Sequence, residues 1–421
     1  MDPASRYDRA SRVLRSLAGL LSGVVLLIGS AASARSEVAR ADPWFDKLPF
    51  GAWLSQGERT DLPWSADVLP AENSPHQRLM LRIVIRLYGS ELEKRRGPGQ
   101  FITLVQYTDR AGRVWQHHTS MDLANLSTGI GLRQIAIAQY AYVLPGDYSV
   151  AIAVCDTATL EHGLLLRQVH VAPVPNDPLP KAWAGMPTVA FIPPITEPPD
   201  VWYLPGVEGR LNLPLITRRR IRIHLLVNIT PSTYQAGLVT AVERNMNSVV
   251  PVLKTFSQIG VVNGSMETAL LDLTRLRVAF EQSGGGNLDW DGMRRVFLDV
   301  RPGVVDAHSL GNRQKMAAFF RSEIVRRVLA DDTGEPDAAT PVVIVLSGPA
   351  FLDEQVAGSL ATLPAGLDYR LIYIRYHGVP APAEDDLQRA LDGLHTRIYD
   401  VASNQRVREI LASVLDNLSE L

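Results

Sequence analysis

Asn228, Thr230 and Ser232 stand two residues apart, directly after the apolar run Ile221 to Val227, in "IRIHLLVNITPST". Open α/β sheets bind ligands beyond the carboxyl ends of their strands. Side-chain oxygens in this pattern are therefore candidate ligand contacts. Ser347 closes a second apolar run, "TPVVIVLS", and joins them in a neutral polar rim. Such a rim suits hydrogen bonding better than cation binding. Mg²⁺ is normally held by one or two carboxylates, and each carboxylate at about 4 Å contributes roughly 4 kcal/mol per unit charge at a surface-like dielectric. Asn, Thr and Ser ahead of a helix also serve as turn and N-cap residues. That reading stands beside the ligand-contacting one.

Other chemistry is sparse. The chain has no G-x-S-x-G elbow and no H-E-x-x-H. "SGGGN", Ser283 to Asn287, lacks the Lys and Ser/Thr of a phosphate-binding loop. Asp289 and Asp291 suit a helix start, where carboxylates complement the dipole. His224, inside the first apolar run, reads as a satisfied core histidine. A nucleophile–base pair of His224 with Ser347 has nothing in the sequence to favour it. His117 and His118 are adjacent on a strand and face opposite sides, so they do not share an ion. Cys155 is the only cysteine, which excludes an internal disulfide and a cysteine metal cluster. The net charge is −2 without a long basic run, which argues against phosphate-driven nucleic-acid binding. No cofactor is expected.

The elements that must place these residues fall into five stretches. Residues 1–34 carry Arg6, Arg9, Arg12 and Arg15, then an apolar run, then "AASA": the pattern of a cleaved signal peptide. An uncleaved membrane anchor is the competing reading and the only route to membrane contact. Residues 35–77 are an extended segment rich in aromatics and proline. Over 78–172, apolar residues alternate with polar ones, as in Leu79, Leu81, Ile83, Ile85 and Leu87 with Arg78, Arg82 and Arg86 between them. This predicts an antiparallel, immunoglobulin-like β-sandwich. In "LPGDYSV", Tyr148 after the Pro145–Gly146 turn resembles a tyrosine corner. Residues 173–217 are proline-dense and read as a linker, with "PTVAFIPP" within it a candidate edge strand. From 218 to 421 apolar strands alternate with amphipathic helices, which predicts a doubly wound, mainly parallel sheet. The fold class expected is α/β, a β-sandwich followed by a Rossmann-type domain.

Residues 218–420, about half of the chain, resemble a von Willebrand factor type A (vWA-like) domain. The match lies in element order: an apolar first strand, a polar loop, a long amphipathic helix, an apolar strand ending at a polar turn, and a C-terminal helix. Metal-binding members of that family carry Asp-x-Ser-x-Ser after the first strand, a Thr on a second loop and an Asp after the fourth strand. Here Asn228, Thr230 and Ser232 occupy the first motif, Ser347 stands in place of the last Asp, and Ser309 is the candidate for the second loop. The resemblance implies a degenerate metal-ion-dependent adhesion site that holds no metal, with Asn228, Thr230, Ser232 and Ser347 left as a ligand-contacting rim.

The function expected is that of an exported bacterial protein, periplasmic or extracellular. It would be non-enzymatic and bind a protein partner, without metal and without nucleic acid. The alternatives are a metal-dependent adhesive module and an exported hydrolase whose residues meet only in three dimensions. A pocket uniting a histidine, a carboxylate and a hydroxyl would favour the hydrolase.

Overall fold

The computed structural model describes residues 47–193, 207–230, 249–284, 287–300, 307–331, 338–348, 361–376 and 385–421. Residues 1–46, which include the expected leader, and Ser232 lie outside them.

A short helix, α1 (Phe50–Gln56), leads into β1 (Arg59–Thr60), β2 (Trp64–Asn73), β3 (Leu79–Tyr88), α2 (Gly89–Lys94), β4 (Gln100–Asp109), β5 (Val114–Asp122), β6 (Gln134–Val143), β7 (Gly146–Asp156), β8 (His162–Val171) and β9 (Val189–Ile192). These strands form two antiparallel sheets, ordered β1-β8-β7-β4-β5 and β2-β3-β6-β9. Leu81, Ile83 and Ile85 of β3 meet Val105, Tyr107, Val150 and Ile152 of the facing sheet in one apolar core. Alternation sets this packing, because every second residue of a strand points to the same face. At the β6–β7 turn the Tyr148 hydroxyl donates to the Leu144 carbonyl at 2.7 Å. This bond pins the turn from inside the core.

The second half runs β10 (Leu213–Leu215), β11 (Ile221–Asn228), a helical stretch at 249–256, β12 (Ile259–Val261), β13 (Gly264–Asp272), β14 (Arg277–Ser283), α3 (Trp290–Asp299), α4 (Ala307–Asp331), β15 (Thr340–Ser347), β16 (Arg370–Tyr376), α5 (Asp386–Ala390), β17 (Thr396–Val401) and α6 (Asn404–Ser419). Its main sheet is ordered β14-β13-β11-β15-β16-β17. Met316, Phe320, Ile324 and Val328 of α4 pack against Leu226, Ala269 and Val343 on one face. Val407, Ile410, Leu411 and Val414 of α6 join the core that holds Ile223, Leu225 and Ile344. Gly264 opens the β11–β13 ladder with φ +154°, and a Cβ there would come within 1.9 Å of the Ile221 carbonyl oxygen. Only glycine lets the two backbones meet so closely.

The expectation of a doubly wound, mainly parallel, vWA-like (Rossmann-type) domain is corrected by this structure. Among the described residues strand makes up 42% against 24% helix, and antiparallel sheets predominate. Among the described residues antiparallel strand pairs outnumber parallel ones, eight to five. Parallel ladders are confined to the short β10–β12 pair and to the six-stranded sheet, whose β14 edge is itself antiparallel. Alternation of apolar runs with helical periods carries no record of strand direction. Between β13 and β14 the chain has only four residues and no helix, so it must return antiparallel.

The proline-dense stretch is not a free connector over its described residues. Val189–Ile192 is strand β9, paired with β6. Ala182 and Met186 enter the core of the second half. The Trp183 indole donates to the Gln77 carbonyl at 2.8 Å. The two halves also meet directly: Gln77 Nε2 donates to the Asn404 carbonyl at 3.0 Å, and Asn404 Nδ2 to the Asn73 carbonyl at 2.8 Å.

Candidate functional site

Asn228 ends β11 beside Ser347, which ends β15, and their side chains meet. Asn228 Nδ2 donates to Ser347 Oγ at 3.0 Å, and Ser347 Oγ donates onward to the Gly348 carbonyl at 2.5 Å. Asn228 Oδ1 accepts from the Thr230 backbone N–H at 2.9 Å, the local turn that Asn side chains favour. Thr230 Oγ1 accepts from the Leu273 backbone N–H at 2.7 Å. All three residues are buried. The structure thus brings three of the four rim residues together. Their polar atoms are spent on one another and on backbone. Ser309 lies within α4 rather than on a loop.

The network continues through neighbouring strands. On β16 the Tyr373 hydroxyl donates to Asp385 Oδ2 at 2.8 Å, and Arg375 Nε donates to Asp400 Oδ1 at 2.7 Å. Asp385 also caps α5 by accepting from the Gln388 N–H at 2.7 Å. Burial first, then the Asp385 charge, pushes the Tyr373 phenol well above its ordinary value. The phenol is a fixed neutral donor and no base. No grouping of three His, Cys, Asp or Glu suited to a metal occurs among the described residues.

A second polar assembly lies toward the other end of β11. Arg222, His224, Glu267, Glu281, Ser283, Arg326, Arg327 and Asp331 line a cavity of about 360 Å³ with Ala330. Cross-strand register builds one wall, since His224 pairs with Glu267 and Glu267 with Ser283. The last turns of α4 supply the other. His224 Nε2 meets Asp331 Oδ2 at 2.7 Å, and Arg222 holds the other oxygen of Asp331. Arg327 bonds Glu281 at 2.6 Å and Glu323 at 2.5 Å.

Charge follows contact here. Burial opposes protonation of His224, but the bond to Asp331 and the nearby Glu267 carboxylate outweigh it and raise its pKa. The neighbouring imidazole, ahead of burial and the bond to Glu281, sets Glu267 below the ordinary carboxylate range. Burial and the Glu267 carboxyl raise Glu281. Two carboxyls with opposed shifts resemble an acid–base pair, but a structural ion network shifts carboxyls in the same way.

The cavity unites a histidine, carboxylates and a hydroxyl, yet not as a nucleophile and base. Glu267 stands between His224 and Ser283 on the sheet. Two strand spacings separate the imidazole from the hydroxyl, about 10 Å, whereas proton transfer needs about 3 Å.

Sequence reading took His224 for a satisfied core histidine but did not identify its partners, of which Asp331 is one. A signal was present: polar or charged residues recur at period two along the strands, Arg222 with His224 and Glu281 with Ser283.

No protein-family model matches this chain, and no curated protein does. A solved structure described as "X-ray structure of Northeast Structural Genomics Consortium target SoR45" shares 13% identity, over 27% of this chain and 89% of its own, at a TM-score of 0.17. A likeness that loose carries no argument about fold or function.

Proposed function

We propose that this chain is an exported, non-enzymatic protein that binds a protein partner without a metal ion. The leader pattern of residues 1–34 supports export. The observation that carries the rest is the closed Asn228–Ser347–Thr230 cluster. At the carboxyl ends of the parallel strands β11 and β15, the polar atoms of this cluster are buried and already bonded to one another and to backbone. Recognition then falls to the outer surface, as in a protein–protein interface.

The test is cross-linking of the tagged chain in its own compartment, with and without a chelator. The captured protein is identified by mass and the pair is rebuilt from purified components. Calorimetry should give the same affinity in EDTA as in millimolar Mg²⁺ or Ca²⁺. Loss of binding in EDTA, or failure of the purified pair to associate, overturns the reading.

A further inference from the structure

His224 and Arg327 line the cavity, and each buries one nitrogen without a hydrogen-bond partner, Nδ1 and Nε respectively. Glu267 Oε1 is 3.7 Å from the first and 3.6 Å from the second, beyond hydrogen-bond length. The other polar atoms of both side chains are engaged by Asp331, Glu281 and Glu323. The side chains are 4% and 2% exposed, so neither nitrogen reaches bulk water at low cost.

The group that completes this triangle must accept from two N–H donors and donate to a carboxylate. An anion meets Glu267, Glu281 and Asp331. A cation meets Arg222, Arg326 and Arg327. A hydroxyl has both a donor and acceptors and meets neither repulsion. The rest of the wall fits the same chemistry. Ser283, Glu281 and Arg326 add exposed donors and acceptors at the rim, and the single apolar liner is Ala330. The volume suits a small molecule. We infer that this cavity binds a small neutral polyhydroxylated molecule, a monosaccharide or linear polyol. One hydroxyl sits over His224 Nδ1, Arg327 Nε and Glu267 Oε1. This site is separate from the partner-binding reading above and does not depend on it.

The experiment is calorimetry on the full chain with glucose, galactose, mannose, ribose and sorbitol, beside glycine and inorganic phosphate as charged probes. At least one neutral polyol should bind saturably and the charged probes should not. Glu267→Gln removes the charged acceptor and should weaken binding about tenfold. Glu267 is half-buried and Gln could disturb the sheet, so a second variant acts from the exposed rim. Ser283→Trp should block the cavity and abolish the heat of binding while the melting temperature is kept. No binding by any polyol, binding by phosphate or glycine alone, or polyol binding that survives Ser283→Trp overturns the inference.

Discussion

Arg408 grips Asp177 with two parallel bonds, Nε to Oδ1 at 2.6 Å and Nη2 to Oδ2 at 2.7 Å, while its guanidinium lies 4.5 Å over the Trp183 ring. Arg408 is fully buried and also donates to the Leu179 carbonyl at 2.9 Å. The pair fastens α6 to the proline-dense stretch 231 residues earlier in sequence. Planar, two-pronged geometry is what Arg supplies and Lys does not.

Breaking this pair should be costly. Arg408→Met strands a carboxylate that is mostly out of water, and loss of one partner from a buried pair typically costs about 3–5 kcal/mol. Burial alone would raise the Asp177 carboxyl, but the Arg408 bonds and the Leu179 N–H outweigh it and lower its pKa. Its stabilising contribution is therefore complete above the unfolded carboxylate pKa and is lost as pH falls through the lower, folded value. Denaturant titration should show Asp177→Asn with Arg408→Met less destabilised than Arg408→Met alone. Equal or greater loss in the double variant would show that the pair is not the origin of the effect.

The same fastening protects the backbone. Residues 177–192 hold Asp177 on Arg408, Trp183 on Gln77 and β9 on β6. Limited proteolysis of the native chain should leave this interval uncut, because cleavage needs a segment that can open locally. Mass mapping of early fragments checks this, and an early cut between Asp177 and Ile192 would mean that the packing opens readily.

These contacts mark where local sequence stops being informative. Period two in "RLMLRIVIRLYG" was enough for β3, and the 3.6-residue period near the C-terminus was enough for α6, because each pattern is a property of one element. Tyr148 was legible from its turn. Arg408 was not. On the helix it reads as one more polar residue, and only its distant partners bury it. The prolines from 173 to 217 read as a linker because proline disfavours regular pairing, and the four-residue edge strand β9 lies in the one segment, "PTVAFIPP", that offered itself as a candidate. Strand direction in the second half was illegible for the same reason. Of the strand-end cluster, residue types and spacing were visible. That Asn228 bonds Ser347 rather than a ligand depends on two strands being neighbours.

Thr230 should be structural in a measurable way. Thr230→Val keeps the shape but removes the acceptor of the Leu273 N–H. An orphaned buried donor costs about 1–3 kcal/mol. Thr230→Ser keeps the oxygen and should lose clearly less. Equal losses in chemical denaturation would mean that packing of the methyl, rather than the hydrogen bond, holds the residue in place.

Two histidines should pull the pH dependence of stability in opposite directions. His76 is buried beside Arg78 and Lys254; burial first, then those charges, depress it to about 3. The folded state resists a proton that the unfolded chain accepts near pH 6.5. Stability from His76 should therefore fall as the pH drops below about 6.5, by at most about 1.4 kcal/mol per pH unit. His224 has the reverse sign. Its folded pKa is raised by Asp331 and Glu267, so its contribution is complete below the unfolded value and disappears as pH rises through the folded one. Melting temperatures measured from acid to mild alkali should show His76→Phe flattening the acid limb and His224→Gln flattening the limb above neutrality. If the two substitutions change the same limb, one of these electrostatic assignments is wrong. The limb that stays put identifies which.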